Sequence, residues 1–276
     1  MPATTDYLSY VLSFPQMPPE SLLALLFLGL MRIAPIVTLV PFLGAKLPGG
    51  VKMGLAIALV AIMLPHLITS STHALSFDMR YVGSLLKELF IGIILAFFGA
   101  LPFYIVESSG NLIDFQRGSS SLQVTEPTTQ TQTSSIGMFY NYIMILVFFE
   151  VGGPFLFLDS VLQSYTIVPA TSFIDPSLFN STQPIWGIVA GLLTKVTAIS
   201  IQLAAPSLVA ILMAEMFLGI ANRLAPQVQI AFLGMSLKSF LGLALLFAGW
   251  FFILKQMGNQ SLLWIKDINT LIPMLK

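Results

Sequence analysis

Four charged residues stand inside long apolar runs: Arg32 (in LLFLGLMRIAPIV), Glu150, Lys195 and Glu215. A charge at bilayer depth costs at least about 2.5–3.5 kcal/mol on insertion scales, so each needs a partner or a task. Two kinds of chemistry fit. Charges converging at mid-membrane would make an ion or proton path, whereas pairing between helices or subunits would make a structural lock. Arg32 lies twelve residues after Glu20 and fourteen before Lys46, near the middle of its helix, and requires a carboxylate, carbonyls or water. Lys195 and Glu215 are twenty residues apart, about 30 Å on one straight helix, so they can pair only across a hairpin. Lys87 and Glu88 sit near a segment start, where snorkelling to the interface is open to them. His66 and His73 have no third ligand at metal spacing, and Asp114 has no nearby base. No nucleophile elbow, Walker phosphate loop or HExxH occurs, so nothing points to an enzyme, a cofactor or a metal.

The elements that must position these residues follow from composition. The chain has 276 residues, 56% hydrophobic and 9% charged, far from the roughly 25% charged of soluble domains. With a mean hydropathy of +0.89, it is an integral membrane protein, and its long apolar segments give the expectation of an all-α one. Twelve basic and twelve acidic residues cancel, leaving no basic footprint for nucleic acid. The absence of cysteine excludes disulfides and thiolate metal sites. MPATTDYLSYVLSF lacks the features of a signal peptide, so the first spanning helix is expected to direct insertion.

About 20 apolar residues cross about 30 Å of hydrocarbon. Six segments qualify: Ser21–Gly44, Val51–Thr69, Gly83–Val106, Gly137–Leu158, Ile185–Ile220 and Val228–Leu254. The fifth, interrupted by Gln202 and Pro206, reads as a helical hairpin or as one long kinked helix. Met257–Lys276 has apolar residues at helical spacing and reads as an amphipathic helix on the membrane or on a partner. Across six crossings, Lys46, Lys52, Arg117, Arg223 and Lys238 fall on one side, and Arg80, Lys87, Lys255, Lys266 and Lys276 on the other. That tie gives no orientation under the positive-inside rule and is unusual for an ordinary bilayer protein. Pro35, Pro41, Pro65, Pro102, Pro154, Pro206 and Pro226 lie inside or at the ends of apolar segments. Broken helices are tolerated where they are buried in an assembly or line a cavity.

One stretch departs from its surroundings. QRGSSSLQVTEPTTQTQTSS, Gln116–Ser135, is rich in Ser, Thr and Gln and carries charge only at Arg117 and Glu126. Two other phrases echo each other, RIAPIVTLVPFLGAKLPGGVK (Arg32–Lys52) and NRLAPQVQIAFLGMSLKS (Asn222–Ser239). Each runs Arg, aliphatic, Ala-Pro, Phe-Leu-Gly, Lys, with a one-residue slip, which raises the question of an internal repeat. Asn222 and Pro226 suit a boundary between helices.

Arg-x-x-Pro…Pro-Phe-Leu-Gly…Val-Lys near the start resembles the FliR/SctT family. So do the mid-chain QRG-Ser run and Asn-Arg-x-Ala-Pro-Gln…Gly-x-x-Leu-Lys near the end. These are membrane proteins of the type III export apparatus. The resemblance runs from Arg32 to Lys238, and Gln116–Ser119 reads more like the injectisome branch than the flagellar one. It implies one export domain over residues 1–276, helical hairpins joining a cone-shaped, non-catalytic assembly that admits unfolded secreted polypeptides. The implied partners are a ring of SctR/FliP-like subunits, a set of SctS/FliQ-like subunits and the SctU/FlhB-like switch protein. The assembly is implied to sit in the bacterial inner membrane, with part of it raised toward the periplasm.

For the loop at residues 116–136 the resemblance implies a channel plug formed by Gln116, Arg117, Gly118, Ser119, Ser120, Ser121, Leu122, Gln123, Val124, Thr125 and Glu126. Its composition suits that task, because hydroxyls and amides can be wetted without fixed charge and no aliphatic cluster locks them into a core. Gly118 and Gly137 are its expected hinges, and Leu122 and Val124 a small apolar stopper. Assembly contacts are expected at Arg32, Pro35, Lys52, Glu150, Lys195, Glu215, Asn222, Arg223, Pro226, Gln227 and Lys238. The alternative is a secondary transporter of a small solute, using Arg32, Glu150, Lys195 and Glu215.

Overall fold

The computed structural model describes residues 18–44, 46–71, 77–118, 124–125, 132–173, 184–224 and 230–275. Helix α1 spans Pro19–Leu39, with Pro19 in its first turn, where a missing N–H costs nothing, and Glu20 beside the positive end of the helix dipole. It gives way to a 3-10 turn, Pro41–Leu43, which Gly44 ends in the left-handed region (φ 97°). Helix α2, Gly49–Ser70, packs against α1. Then come α3 (Met79–Gln116), two short strands β1 (Val124–Thr125) and β2 (Gln132–Thr133), α4 (Ser135–Glu150), α5 (Gly153–Ile167), α6 (Pro184–Leu224), α7 (Ile230–Ala248) and α8 (Trp250–Leu271). Among the described residues four helices are long and apolar enough to cross a membrane, or up to six spans if each of two broken pairs counts as one. The all-α membrane class read from composition is therefore the observed one.

Several sequence boundaries move. The third segment is far longer than Gly83–Val106: α3 has 38 residues, about 57 Å at helical rise. Its polar end, ESSGNLIDFQ, stays helical because Asp114 and Glu107 find partners on α4. The fifth segment is one helix of 41 residues with Pro206 inside it, so the hairpin alternative falls away. The fourth breaks at Gly152, whose φ of 71° no helix interior accepts. The sixth breaks at Gly249, where α7 and α8 meet with a bend of 63°. Trp250–Leu254 accordingly belongs to α8.

That last boundary corrects the reading of the tail. Ile253, Met257, Ser261, Trp264 and Ile265 are buried, at the three-to-four spacing of one helix face. The Ser261 hydroxyl lies 3.9 Å from the Met144 sulfur, and Lys195 stands over the Trp264 ring at 5.2 Å. The buried face of this amphipathic helix is therefore filled by α4 and α6 of its own chain.

The chain packs as two compact units built from interleaved segments. The first comprises residues 1–100, 155–185 and 267–276. Its core gathers Ala24, Leu25, Leu28, Ile68, Tyr81 and Ala170, and Tyr81 donates its hydroxyl hydrogen to the Ala24 carbonyl at 3.1 Å. The second comprises residues 101–154 and 186–266. There Phe103 meets Phe148 edge to face at 5.3 Å, and Ser200 donates to the Ile105 carbonyl at 3.1 Å.

Candidate functional site

In the first unit, the mid-helix Arg32 is fully buried, and all three guanidinium nitrogens have partners. Its Nε and Nη2 donate to the two carboxylate oxygens of Glu88 at 2.5 and 2.8 Å. Nη2 also donates to the Val168 carbonyl and Nη1 to the Ser164 hydroxyl, both at 2.9 Å, and the guanidinium lies 3.9 Å from the centre of the Tyr165 ring. A two-pronged guanidinium–carboxylate pair is the strongest form of charged hydrogen bond. Backbone geometry permits it. A Cβ on Gly92, one turn beyond Glu88, would collide with the Arg32 carbonyl, so α1 and α3 touch backbone to backbone there.

The snorkelling expectation for Lys87 and Glu88 is wrong. Glu88 is wholly buried and Lys87 nearly so. Lys87 Nζ donates to the carbonyls of Pro169, Ala170 and Ser172 at 2.8, 3.0 and 2.9 Å, and sits 2.7 Å from Glu88. These carbonyls lie just past the C-terminus of α5, where orphan acceptors collect and a cation is favoured. Lys87 thus ceases to count as a loop charge, which removes one member of the five-against-five tally. Pro35 is buried inside α1, and Lys52 lies in the first turn of α2.

In the second unit, Glu215 does not face Lys195. It pairs with Lys238 of α7 at 2.6 Å, and both side chains are partly exposed. Glu150 is exposed at the end of α4, and no ion pair reaches it among the described residues. Asn222 and Arg223 are exposed in the last turn of α6, where a cation suits the helix dipole. Pro226 and Gln227 lie outside the described residues. Phe232, Leu233 and Gly234 are helical in α7, whereas Phe42, Leu43 and Gly44 form a 3-10 turn. The two echoing phrases therefore differ in conformation, and they do not mark a structural repeat.

Around the polar stretch the structure supplies what the sequence reading missed. Asp114, in the last turn of α3, takes the Ile136 backbone N–H at 2.9 Å and the Ser134 hydroxyl at 2.5 Å on one oxygen, and Arg117 at 2.5 Å on the other. Ser134 is also the N-cap of α4, its hydroxyl oxygen accepting from the Gly137 N–H at 2.8 Å. One turn down α3, Gly110 is packed on Gly137 so closely that a Cβ on Gly110 would lie 2.5 Å from the Gly137 Cα. A further turn down, Glu107 accepts from the Asn141 side chain at 2.8 Å. Gly137 is therefore a buried crossing point inside α4 and no hinge. Gly118 does adopt a left-handed conformation, with φ at 81°. Beyond it β1 and β2 pair antiparallel, Val124 with Thr133 and Thr125 with Gln132. Gln116 ends α3. Ser119, Ser120, Ser121, Leu122, Gln123 and Glu126 lie outside the described residues, so the Leu122 part of the stopper does too. The roles of Asp114 and Glu88 were missed in sequence because partners that fix them, Ser134 and Arg32, lie twenty and fifty-six residues away.

Helices of spanning length, charges paired inside them and a pair of short polar strands between α3 and α4 define a multi-pass helical membrane protein. The sequence profile described as "Bacterial export proteins, family 1" matches residues 23–262. The chain belongs to this family, the FliR/SctT family of type III export apparatus membrane proteins that its phrases resemble. It is 29% identical over 218 residues to the surface presentation of antigens protein SpaR of Shigella flexneri, covering 78% of this chain and 81% of that one. To the Yop proteins translocation protein T of Yersinia pestis it is 32% identical over 192 residues, 69% of this chain and 71% of the relative. The flagellar biosynthetic protein FliR of Bacillus subtilis is 24% identical over 246 residues, 88% and 93% of the two chains.

Proposed function

We propose that this chain is a non-catalytic core subunit of a type III secretion export gate. With SctR/FliP-like and SctS/FliQ-like membrane subunits it forms the inner-membrane entry pore for unfolded secreted proteins, above a SctU/FlhB-like switch protein. The observation that carries this reading is the family match, which spans residues 23–262 and so leaves little of the chain for another task. Support for the injectisome branch comes from identity, 29 and 32% to the relatives named for surface presentation of antigens and for Yop protein translocation against 24% to the flagellar one. Helices of 38 and 41 residues outreach a bilayer by about twofold, which suits an assembly partly raised toward the periplasm.

Within that pore the Gln116–Ser135 stretch helps to seal the channel. Its two limbs leave and rejoin the helices at one neck, and they are paired where β1 meets β2. The solute-carrier alternative is less well supported, because two of its four charges, Arg32 and Glu215, are each held by an ion-pair partner within the chain. The test is purification of the tagged chain with its gene neighbours and mass determination of the intact complex. One copy of this chain among several copies of two small hydrophobic proteins is expected. Deleting Ser119–Gln132 should then raise ion leakage through the assembled pore. A stable lone chain, or an unchanged leak in the deletion, would overturn the gate or the seal respectively.

A further inference from the structure

Both ends of the polar stretch are tied by one carboxylate. Asp114 is 5% exposed, and three donors converge on it from two sides. Arg117 approaches from the α3 side, and the Ser134 hydroxyl and Ile136 N–H from the α4 side. Glu107, Gly110 and Asp114 follow one another at i, i+3 and i+7, so they lie on one face of α3. Opposite them stand Asn141, Gly137 and the Ser134–Ile136 turn. The row ends at Asp114, beside the stretch. Arg117, the first residue after α3, is itself placed: its Cδ lies 3.6 Å from where a Cβ on Gly242 of α7 would stand.

We propose that Asp114 is the positioning residue of this neck. Its charge fixes the separation of the two limbs, so that the stretch leaves the helices and returns to them at one defined point. The proposal rests on the sealing role argued above, but uses only residues 107–118, 134–141 and 242. The reason for a carboxylate is its acceptor capacity. An ionised Asp offers acceptors on both oxygens, whereas an Asn of the same shape offers one accepting oxygen and one donating NH2. With its oxygen toward α4, the amide would point a donor at the Arg117 guanidinium. With its oxygen toward Arg117, it would point a donor at the Ile136 N–H. One limb is released in either case, without a change in size.

The experiment uses the full chain in its complex, reconstituted in vesicles, with potassium efflux measured per assembled complex. Asp114→Asn should raise efflux about ten-fold, the equivalent of one charge-assisted hydrogen bond at about 1.4 kcal/mol per decade. Complex yield should stay unchanged. Ser134→Ala should leak similarly, and Ser134→Thr, which keeps both the donor and the cap, should stay sealed. If deletion of Ser119–Gln132 leaks while Asp114→Asn and Ser134→Ala remain tight, the neck does not position the stretch and the proposal is wrong. If the deletion is also tight, the sealing role itself fails and takes this inference with it. A loss of complex yield in both neck variants, with no added efflux from the complexes that form, would reduce Asp114 to a folding role.

Discussion

At the scale of single residues, the first unit places two cations and one carboxylate out of reach of water. Glu88 serves Arg32 with both oxygens and Lys87 with one. Breaking a buried pair leaves an uncompensated charge and costs about 3–5 kcal/mol, whereas the intact pair contributes much less than that. Glu88→Gln should therefore destabilise by about 3–5 kcal/mol, since both cations lose their counter-charge. Lys87→Met should cost less, about 1–3 kcal/mol, because it leaves a neutral Arg32–Glu88 pair and removes only the donor to three carbonyls. The order of the two thermal midpoints in detergent decides the matter; a larger drop for Lys87→Met would show that the carbonyls, not charge balance, dominate. That Arg32 needs a carboxylate, carbonyls or water was legible from its depth in an apolar run; that a carboxylate supplies the need was not. Which carboxylate was not, because a partner fifty-six residues away is brought close by helix crossing and not by spacing. Glu88 was misread for the same reason, since its place near a segment start says nothing about the helix packed against it.

At the scale of elements, small residues decide where helices touch, and touching decides which charges meet. Gly92 and Gly110 are both crossing points of α3, the first against α1 and the second against α4. A methyl group on Gly92 has nowhere to go, because it meets the backbone of Arg32 and no flexible side chain. Gly92→Ala should therefore push α1 from α3 and cost about 1–3 kcal/mol by overpacking. It should also loosen the guanidinium fork one turn away. Combined with Glu88→Gln, the loss should be smaller than the sum, since both changes break the same contact. Additive losses in thermal unfolding would mean that the crossing and the ion pair are independent. The existence and type of the helices were legible from apolar length. Their exact breaks were not, because Gly152 and Gly249 lie within stretches still rich in apolar residues on both sides, where a glycine alone does not announce a bend. The long α6 escaped a firm reading for the opposite reason: Pro206 looks like a break, yet the helix runs through it.

At the scale of the whole molecule, the order of segments constrains how the chain can be divided. Each compact unit takes its parts from separated stretches: residues 1–100, 155–185 and 267–276 in one, residues 101–154 and 186–266 in the other. A cut between α5 and α6 would leave pieces of both units on both fragments. Such a fragment cannot complete either core: residues 101–154 would lack α6, whose Ser200 bonds to Ile105, and α8, which packs on Met144. Many large apolar side chains also remain exposed on the chain alone, among them Phe155, Met216, Phe217, Phe247 and Phe251, so a half chain would add core surface to an already adhesive exterior. We therefore expect that the two halves, expressed separately in the membrane, are degraded or aggregate in detergent. Expressed together, they should recover a complex that co-purifies through a tag on either half, because the packing that joins them needs no peptide bond at that point. The measurement is detergent-soluble yield of each half, alone and together, followed by size exclusion. A half that accumulates alone as a monodisperse species would show two domains in series. Mutual dependence would show that each unit must draw its segments from both halves before either core is complete.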